Sequence, residues 1–267
     1  MLTLEGATGL RLAVFFGVFA VMALWETAAP RRAPTTPKAA RWGRNICIAA
    51  LNSACVRLLV PLQAVGVAAL AGRGGWGLLP WAGVPPAPAL VLSVALLDLA
   101  IYLQHWCFHR QPVLWRLHMV HHVDLDIDVT TGARFHPVEI LLSMGIKMTL
   151  VALLGVPVAG VVLFEILLNG TSMFNHGNVR IPGSLDRALR LAVVTPDMHR
   201  VHHSVVPRET GSNFGFNLPW WDRLFGTYRP QPAAGHTGMQ IGLPWFRDQD
   251  RVGLGWLLAL PFLKRTW

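Results

Sequence analysis

Four apolar runs decide what this chain can fold into: Leu12–Trp25, Ile46–Ala71, Ala89–Tyr102 and Val138–Leu168. A helix needs about 20 apolar residues to cross the hydrocarbon core of a bilayer. In lipid every backbone N–H and C=O must be paired within the structure, and consecutive apolar runs of this length meet that demand as helices. The second run is interrupted only by Asn52, Ser53 and Arg57. The fourth, at about thirty residues, is long for one span and carries Gly155 and Pro157 near its middle, so a helical hairpin turning there is expected. Only 14% of the residues are charged and 53% are hydrophobic, whereas a soluble domain carries about 25% charged residues. The expected fold class is therefore all-α, an integral membrane helical bundle. Disorder is excluded by the apolar content.

A single membrane domain, 1–267, is expected, with N-terminal spans in 1–88, the chemistry in 89–230 and a tail in 231–267. Residues Gly72 to Pro88 read as a loop outside the membrane, with Trp76 and Trp81 at its interface. The last run, Val252–Leu263, is too short to span and reads as an interfacial or buried helix. A signal peptide with a weak site at Ala28–Ala29 is the alternative reading of the first run, disfavoured by Glu5 and by the spans that follow.

The net charge is +9. The basic residues sit beside apolar segments, which points to a membrane surface and away from nucleic acid. Arg31, Arg32, Lys38, Arg41 and Arg44 lie between the first two runs, while the next loop carries only Arg73. The positive-inside rule then places 31–44 in the cytoplasm, and counting spans forward places 105–136 and 170–267 there too. With the hairpin counted as one equivalent, four crossings result. A bacterial inner membrane fits this reading. Cys47, Cys55 and Cys107 are too few for a disulfide framework and read as buried, inert thiols.

All of the 11 histidines except His236 fall between His105 and His203. His105 and His109 form H-x-x-x-H on one helical face. His118, His121 and His122 form H-x-x-H-H, and His199, His202 and His203 repeat it 81 residues later. At ~4% histidine an H-x-x-H-H is expected by chance roughly 0.02 times in this length, so two copies are not accidental. Neutral imidazole ligates Fe, Zn, Cu or Ni, and eight such residues in three clusters suffice for two ions.

The histidine set resembles that of the fatty acid hydroxylase/sterol desaturase superfamily. So do Arg134-Phe135-His136-Pro137-Val138-Glu139, Phe174-Asn175-His176-Gly177-Asn178, Thr195-Pro196-Asp197-Met198-His199, Asn213-Phe214-Gly215 and Trp221 through Thr227. The resemblance covers about residues 90–230. It implies a cytoplasm-facing centre of two iron ions that activates O2 against a lipid C–H bond. By matching position its ligands are His105, His109, His118, His121, His122, His199, His202 and His203, with His176 as a ninth. Zinc is a second occupant that imidazole accepts.

His136 precedes Pro137 and is expected at a helix start, in a supporting role. Asp98 lies two turns before His105 inside an apolar run, and an intramembrane carboxylate is a functional residue by default. It is expected to orient a histidine N–H, as are Asn178, Asp197 and Asn213. Arg134 and Glu139 are expected to pair with each other, His236 to be exposed, and Trp220 and Trp221 to anchor an interfacial segment.

The function expected is hydroxylation of a membrane lipid. Desaturation by the same site is the alternative, and a zinc hydrolase or transporter a more distant one. A hydrolase needs one metal with three protein ligands, and a transporter places ligands at mid-membrane; neither suits histidines that follow the spans. The sequence contains no flavin or dinucleotide fingerprint and no H-P-G-G haem segment. A separate electron donor of ferredoxin or cytochrome type is implied.

Overall fold

A computed structural model describes residues 4–248 and 252–263. The helices are α1 (Leu4–Ala28), α2 (Lys38–Leu59), α3 (Gln63–Gly74), α4 (Leu78–Trp81), α5 (Pro86–Arg110), α6 (Pro112–His122) and α7 (Pro137–Leu154). They continue with α8 (Val158–Asn175), α9 (Gly183–Leu189), α10 (Pro196–His202), α11 (Pro207–Thr210), α12 (Trp220–Leu224), α13 (Gly235–Gly238) and α14 (Leu254–Ala259). No strand forms among the described residues; two isolated bridges, Pro30 to Val179 and Ser204 to Ile241, are the only β pairing there. The protein is all-α.

Five segments are long and apolar enough to cross a membrane: Thr8–Ala28, Lys38–Trp81, Pro86–Arg110, Pro137–Leu154 and Val158–Asn175. The last two are the expected hairpin, here two separate candidate crossings. Gly155 closes α7 with φ +66, a left-handed value that favours glycine, and Pro157 caps α8. Gly77 packs against this turn so closely that a Cβ on it would lie 2.1 Å from the Gly155 nitrogen. The end of the α2–α3 segment thus meets the hairpin tip. The opposite ends, where α5 finishes and α7 begins, carry the histidines.

The second apolar run is not one continuous helix. It starts earlier than expected, at Lys38, and breaks at Val60–Leu62. Pro61 has no N–H to continue the ladder and pushes Val60 out of helical geometry, to φ −131 and ψ 63. Gln63 takes a positive φ of 49 as the chain restarts.

Among the described residues, the two largest of four apolar cores hold the bundle. One joins α3, α5, α7 and α8 through Ala64, Ala68, Leu97, Val151, Val161 and Phe164. The other seats the C-terminal run on α6, with Leu257 and Leu260 against Met119 and Val120. Arg116 fastens that run by donating to the carbonyls of Pro261, at 2.6 Å, and Leu263, at 2.5 Å. The tail helix is therefore packed on the histidine-bearing α6 through Leu257. The cysteines are not buried: Cys47 is exposed, and Cys55 and Cys107 are half-buried. They lie on helix faces that the bundle does not cover.

Candidate metal centre

Three short-range rules set the ligand-bearing helices. Gln111, forced extended before Pro112, ends α5 just after His109 and starts α6 at a proline. The Thr195 hydroxyl accepts the Met198 N–H and caps α10, with Pro196 in its first position. His176 is the residue that closes α8.

The nine expected histidines converge into two adjacent clusters. His105, His109, His118, His122 and His202 form one, and His121, His176, His199 and His203 the other; the potential ligand atoms in each lie within 4.8 Å of one another. Each H-x-x-H-H divides between the two. The i and i+4 members, His118 with His122 and His199 with His203, face one cluster, and the i+3 members, His121 and His202, reach across to the other. The two clusters abut, with 4.6 Å between the ring centroids of His122 and His203.

Five rings have their Nδ1 fixed from behind. His105 faces the Phe214 carbonyl at 2.8 Å, His121 that of Arg134 at 3.1 Å, His176 that of Ser172 at 2.7 Å, and His202 that of Ser212 at 2.7 Å. His118 faces the Glu139 carboxylate at 2.7 Å. An acceptor behind Nδ1 keeps the proton there and leaves the Nε2 lone pair pointing inward.

Those inward nitrogens meet in pairs. His105 and His118 bring Nε2 atoms to 3.1 Å, as do His121 with His176 and His176 with His199. With Nδ1 protonated on His105, His118, His121 and His176, the first two pairs set lone pair against lone pair, which a bound cation would relieve. Two nitrogens at ~2.1 Å from one ion and roughly 90° apart lie about 3.0 Å from each other. Further buried ring nitrogens have no partner at all: His109 Nε2, both nitrogens of His122, His199 Nδ1, His202 Nε2 and His203 Nε2. A buried polar atom left unpaired is costly, so this donor set fits metal ions.

Electrostatics supports the neutral, ligating form. Burial pushes the His118 pKa down to about 3 and the His176 pKa down to about 4. Burial, and then the neighbouring imidazoles, hold His121, His122, His199 and His203 well below the usual histidine range. Among the described residues no carboxylate enters either cluster. An all-imidazole set selects transition metals over Mg²⁺ or Ca²⁺, which take oxygen ligands.

The other expected site residues lie outside the clusters. Asp98 touches no histidine: it accepts from Asn217 Nδ2 and Trp221 Nε1, each at 2.8 Å, and from the Leu218 N–H. It ties α5 to the segment after Phe216. Trp221 is consequently not an interfacial anchor, whereas Trp220 is half-exposed. Asn178 exchanges hydrogen bonds with the Arg32 backbone and so ties the exit of α8 to the exit of α1. Asp197 pairs with Arg31 and Arg200. His136 caps α7, its Nδ1 accepting from Val138 N, and its Nε2 faces the Leu258 carbonyl.

Asn213 also touches no histidine side chain, but it acts through its backbone. It adopts φ +54, a left-handed value that Asn tolerates. Its side chain bonds Met198 O and the Arg229 backbone. The turn aims the carbonyls on either side of it, Ser212 and Phe214, at His202 and His105. Asp222 holds the same turn from beneath by accepting from the N–H groups of Phe214 and Gly215.

Two further expectations reverse. Arg134 does not pair with Glu139; its guanidinium lies against Asp124, Asn45 and the Val120 carbonyl. His236 is buried rather than exposed, 3.5 Å from Asp197, because α13 folds back onto α10. Glu139 is the functional residue that sequence reasoning missed. The argument used for Asp98, a carboxylate inside an apolar run, applied equally to it.

The fatty acid hydroxylase family model matches residues 90–227. The chain belongs to the fatty acid hydroxylase family. The matched stretch runs from α5 to the end of α12 and contains all nine clustered histidines. Among curated proteins, the chain is 31% identical over 184 residues to an ornithine lipid hydroxylase of Rhizobium tropici, covering 68% of this chain and 52% of that one. It is 31% identical over 153 residues to an alkylglycerol monooxygenase of Danio rerio, covering 57% of this chain and 32% of the relative. The human alkylglycerol monooxygenase is 26% identical over 159 residues, covering 57% and 33%. The chain thus spans about half or less of the length of these relatives. No solved structure matches it.

Proposed function

We propose that this protein is a membrane-bound di-iron oxygenase that hydroxylates a C–H bond of a lipid. The observation that carries the reading is the pair of abutting, buried, all-histidine clusters at one end of a bundle of membrane-length helices. Bound iron would supply the redox chemistry: O2, two electrons and two protons convert C–H to C–OH and release one water. His105, His109, His118, His122 and His202 would hold one ion, and His121, His176, His199 and His203 the other.

The chain's own contribution is orientation and exclusion of water. The carbonyls of Phe214, Arg134, Ser172 and Ser212, with the Glu139 carboxylate, keep protons on Nδ1 and present Nε2. Phe135 stacks on His121 with 4.5 Å between centroids, and Phe216 lies 5.2 Å from His105. These rings supply a dry wall for an oxidising site.

Hydroxylation is favoured over desaturation because both kinds of relative are named for oxygen insertion, a hydroxylase and a monooxygenase. The electron donor is a separate ferredoxin- or cytochrome-type protein. The histidine end faces the cytoplasm of a bacterial inner membrane, since Arg31, Arg32 and Lys38 emerge on that side. Incubating reduced protein and membrane lipid under ¹⁸O2 tests the reaction. Label in a new lipid hydroxyl is expected; a new double bond without label refutes hydroxylation, and unchanged lipid refutes the oxygenase.

A further inference from the structure

His109 is the one clustered histidine that is not fully buried. It lies at the bottom of a cleft of about 610 Å³ whose walls include Trp115, Phe214, Arg110, Arg208 and Arg229. Among the described residues no Asp or Glu lines this cleft. None of the three guanidinium groups has a carboxylate within ion-pair distance among the described residues, in contrast to Arg31, Arg41, Arg134, Arg190 and Arg200, which all do. Arg110 lies over the Trp106 ring at 5.5 Å, and Arg229 has its Nε buried without a partner. Three uncompensated cations around one concavity are an anion site of the size that small ligands occupy.

The rim of the cleft says where the anion comes from. Gly226–Arg229 follows directly on Leu224 and Phe225, which are 70% and 51% exposed. Phe225 stacks on Tyr102 of α5 at 5.3 Å, and Trp106, one turn further along α5, is also exposed. The arginines therefore stand where a candidate membrane helix ends, with exposed apolar side chains beside them. That order, apolar strip and then cationic pocket, matches an acyl chain followed by its head group.

We propose that this cleft binds the anionic group, phosphate or carboxylate, of the lipid that the metal centre oxidises. The inference rests on the proposed lipid oxidation and names the substrate class for it. Arg110 and Arg208 reach the anion from the aqueous side and Arg229 from the wall, and the chain lies along Phe225 and Trp106. A protein donor would need a projecting acidic surface to enter the same concavity, and the apolar rim gives it nothing to match.

The test uses metal-loaded full-length protein in a neutral maltoside detergent, with binding read by calorimetry and no turnover required. The probes are dodecyl phosphate, inorganic phosphate and dodecyltrimethylammonium. Dodecyl phosphate should bind, the cationic probe should not, and inorganic phosphate should bind at least tenfold more weakly. Arg110→Gln and Arg208→Gln should each weaken dodecyl phosphate about fivefold, the size of a partly exposed ion pair. The double variant, both of whose sites are exposed, avoids reliance on Arg229. Arg187→Gln, at a residue that does not line this cleft, should change nothing.

Dodecyl phosphate binding unchanged in the double variant overturns the proposal. So does equal affinity for inorganic phosphate, which would make this a free-anion site. Unchanged lipid binding with slowed reduction by a ferredoxin would reassign the cleft to donor docking. Because binding is read apart from oxidation, a failed ¹⁸O2 experiment leaves these outcomes distinct.

Discussion

Replacing Glu139 with Leu isolates one of the five contacts that aim the ligands. Its Oε1 lies 2.7 Å from His118 Nδ1, and the two side chains are 5% and 2% exposed. Leucine keeps the volume roughly and leaves the Nδ1–H buried with no acceptor. Leaving a buried donor without its acceptor costs about 1–3 kcal/mol. Removing the outer partner of a ligating histidine weakens metal affinity about 10–100-fold, which is about 1.4–2.8 kcal/mol at 1.4 per decade. The two routes agree. His118 belongs to the five-histidine cluster alone, so metal content should fall from two ions towards one per chain. Glu139→Gln retains an acceptor and should stay within about fivefold of the unaltered protein. A chelator competition titration followed by elemental analysis reads both, with thermal unfolding as the control for folding. Two ions held at unaltered affinity in Glu139→Leu would refute the assigned role.

Asp98→Ala should act on stability and not on metal binding: it orphans the donors of Asn217, Leu218 and Trp221, at about 2–4 kcal/mol. A variant with an unchanged unfolding temperature and lost metal would reverse that assignment. His236 has its pKa pushed down to about 4 by burial, against the pull of Asp197. Its unfolded ring protonates near pH 6.5, so folding stability drops as pH falls from 6.5 towards 4. His236→Gln should flatten that part of the unfolding profile and leave metal content alone; an identical profile counts against it. Single cysteines at Trp115 and Thr210, in a background lacking Cys47, Cys55 and Cys107, should label only from the cytoplasmic side, and labelling from outside overturns the orientation.

What the sequence determined by itself is whatever depends on spacing along one segment. The long apolar runs require helices because lipid offers the backbone no partners, and Gly155–Pro157 marks the hairpin because a left-handed residue followed by proline cannot continue a helix. The H-x-x-x-H and H-x-x-H-H spacings place rings on one helical face, so the histidines could be gathered in advance. The break at Pro61 was equally legible from proline chemistry, but the continuity of the apolar run concealed it.

Tertiary structure alone decided how the histidines divide. Neighbours on one face, His118 and His121, serve different clusters because the histidine rings of α6 and α10 meet where the two clusters abut. It also decided what orients them. Four of the five contacts behind the rings are backbone carbonyls, of Arg134, Ser172, Ser212 and Phe214, and every residue has a carbonyl, so no residue type announces one. Asp98 read as a partner for His105 because seven residues is two helical turns. Its carboxylate instead meets Asn217, Leu218 and Trp221, brought there by a chain that returns after 119 residues. Polar side chains buried in the same apolar setting look alike in sequence; which donor each one satisfies is fixed only when distant segments close around it.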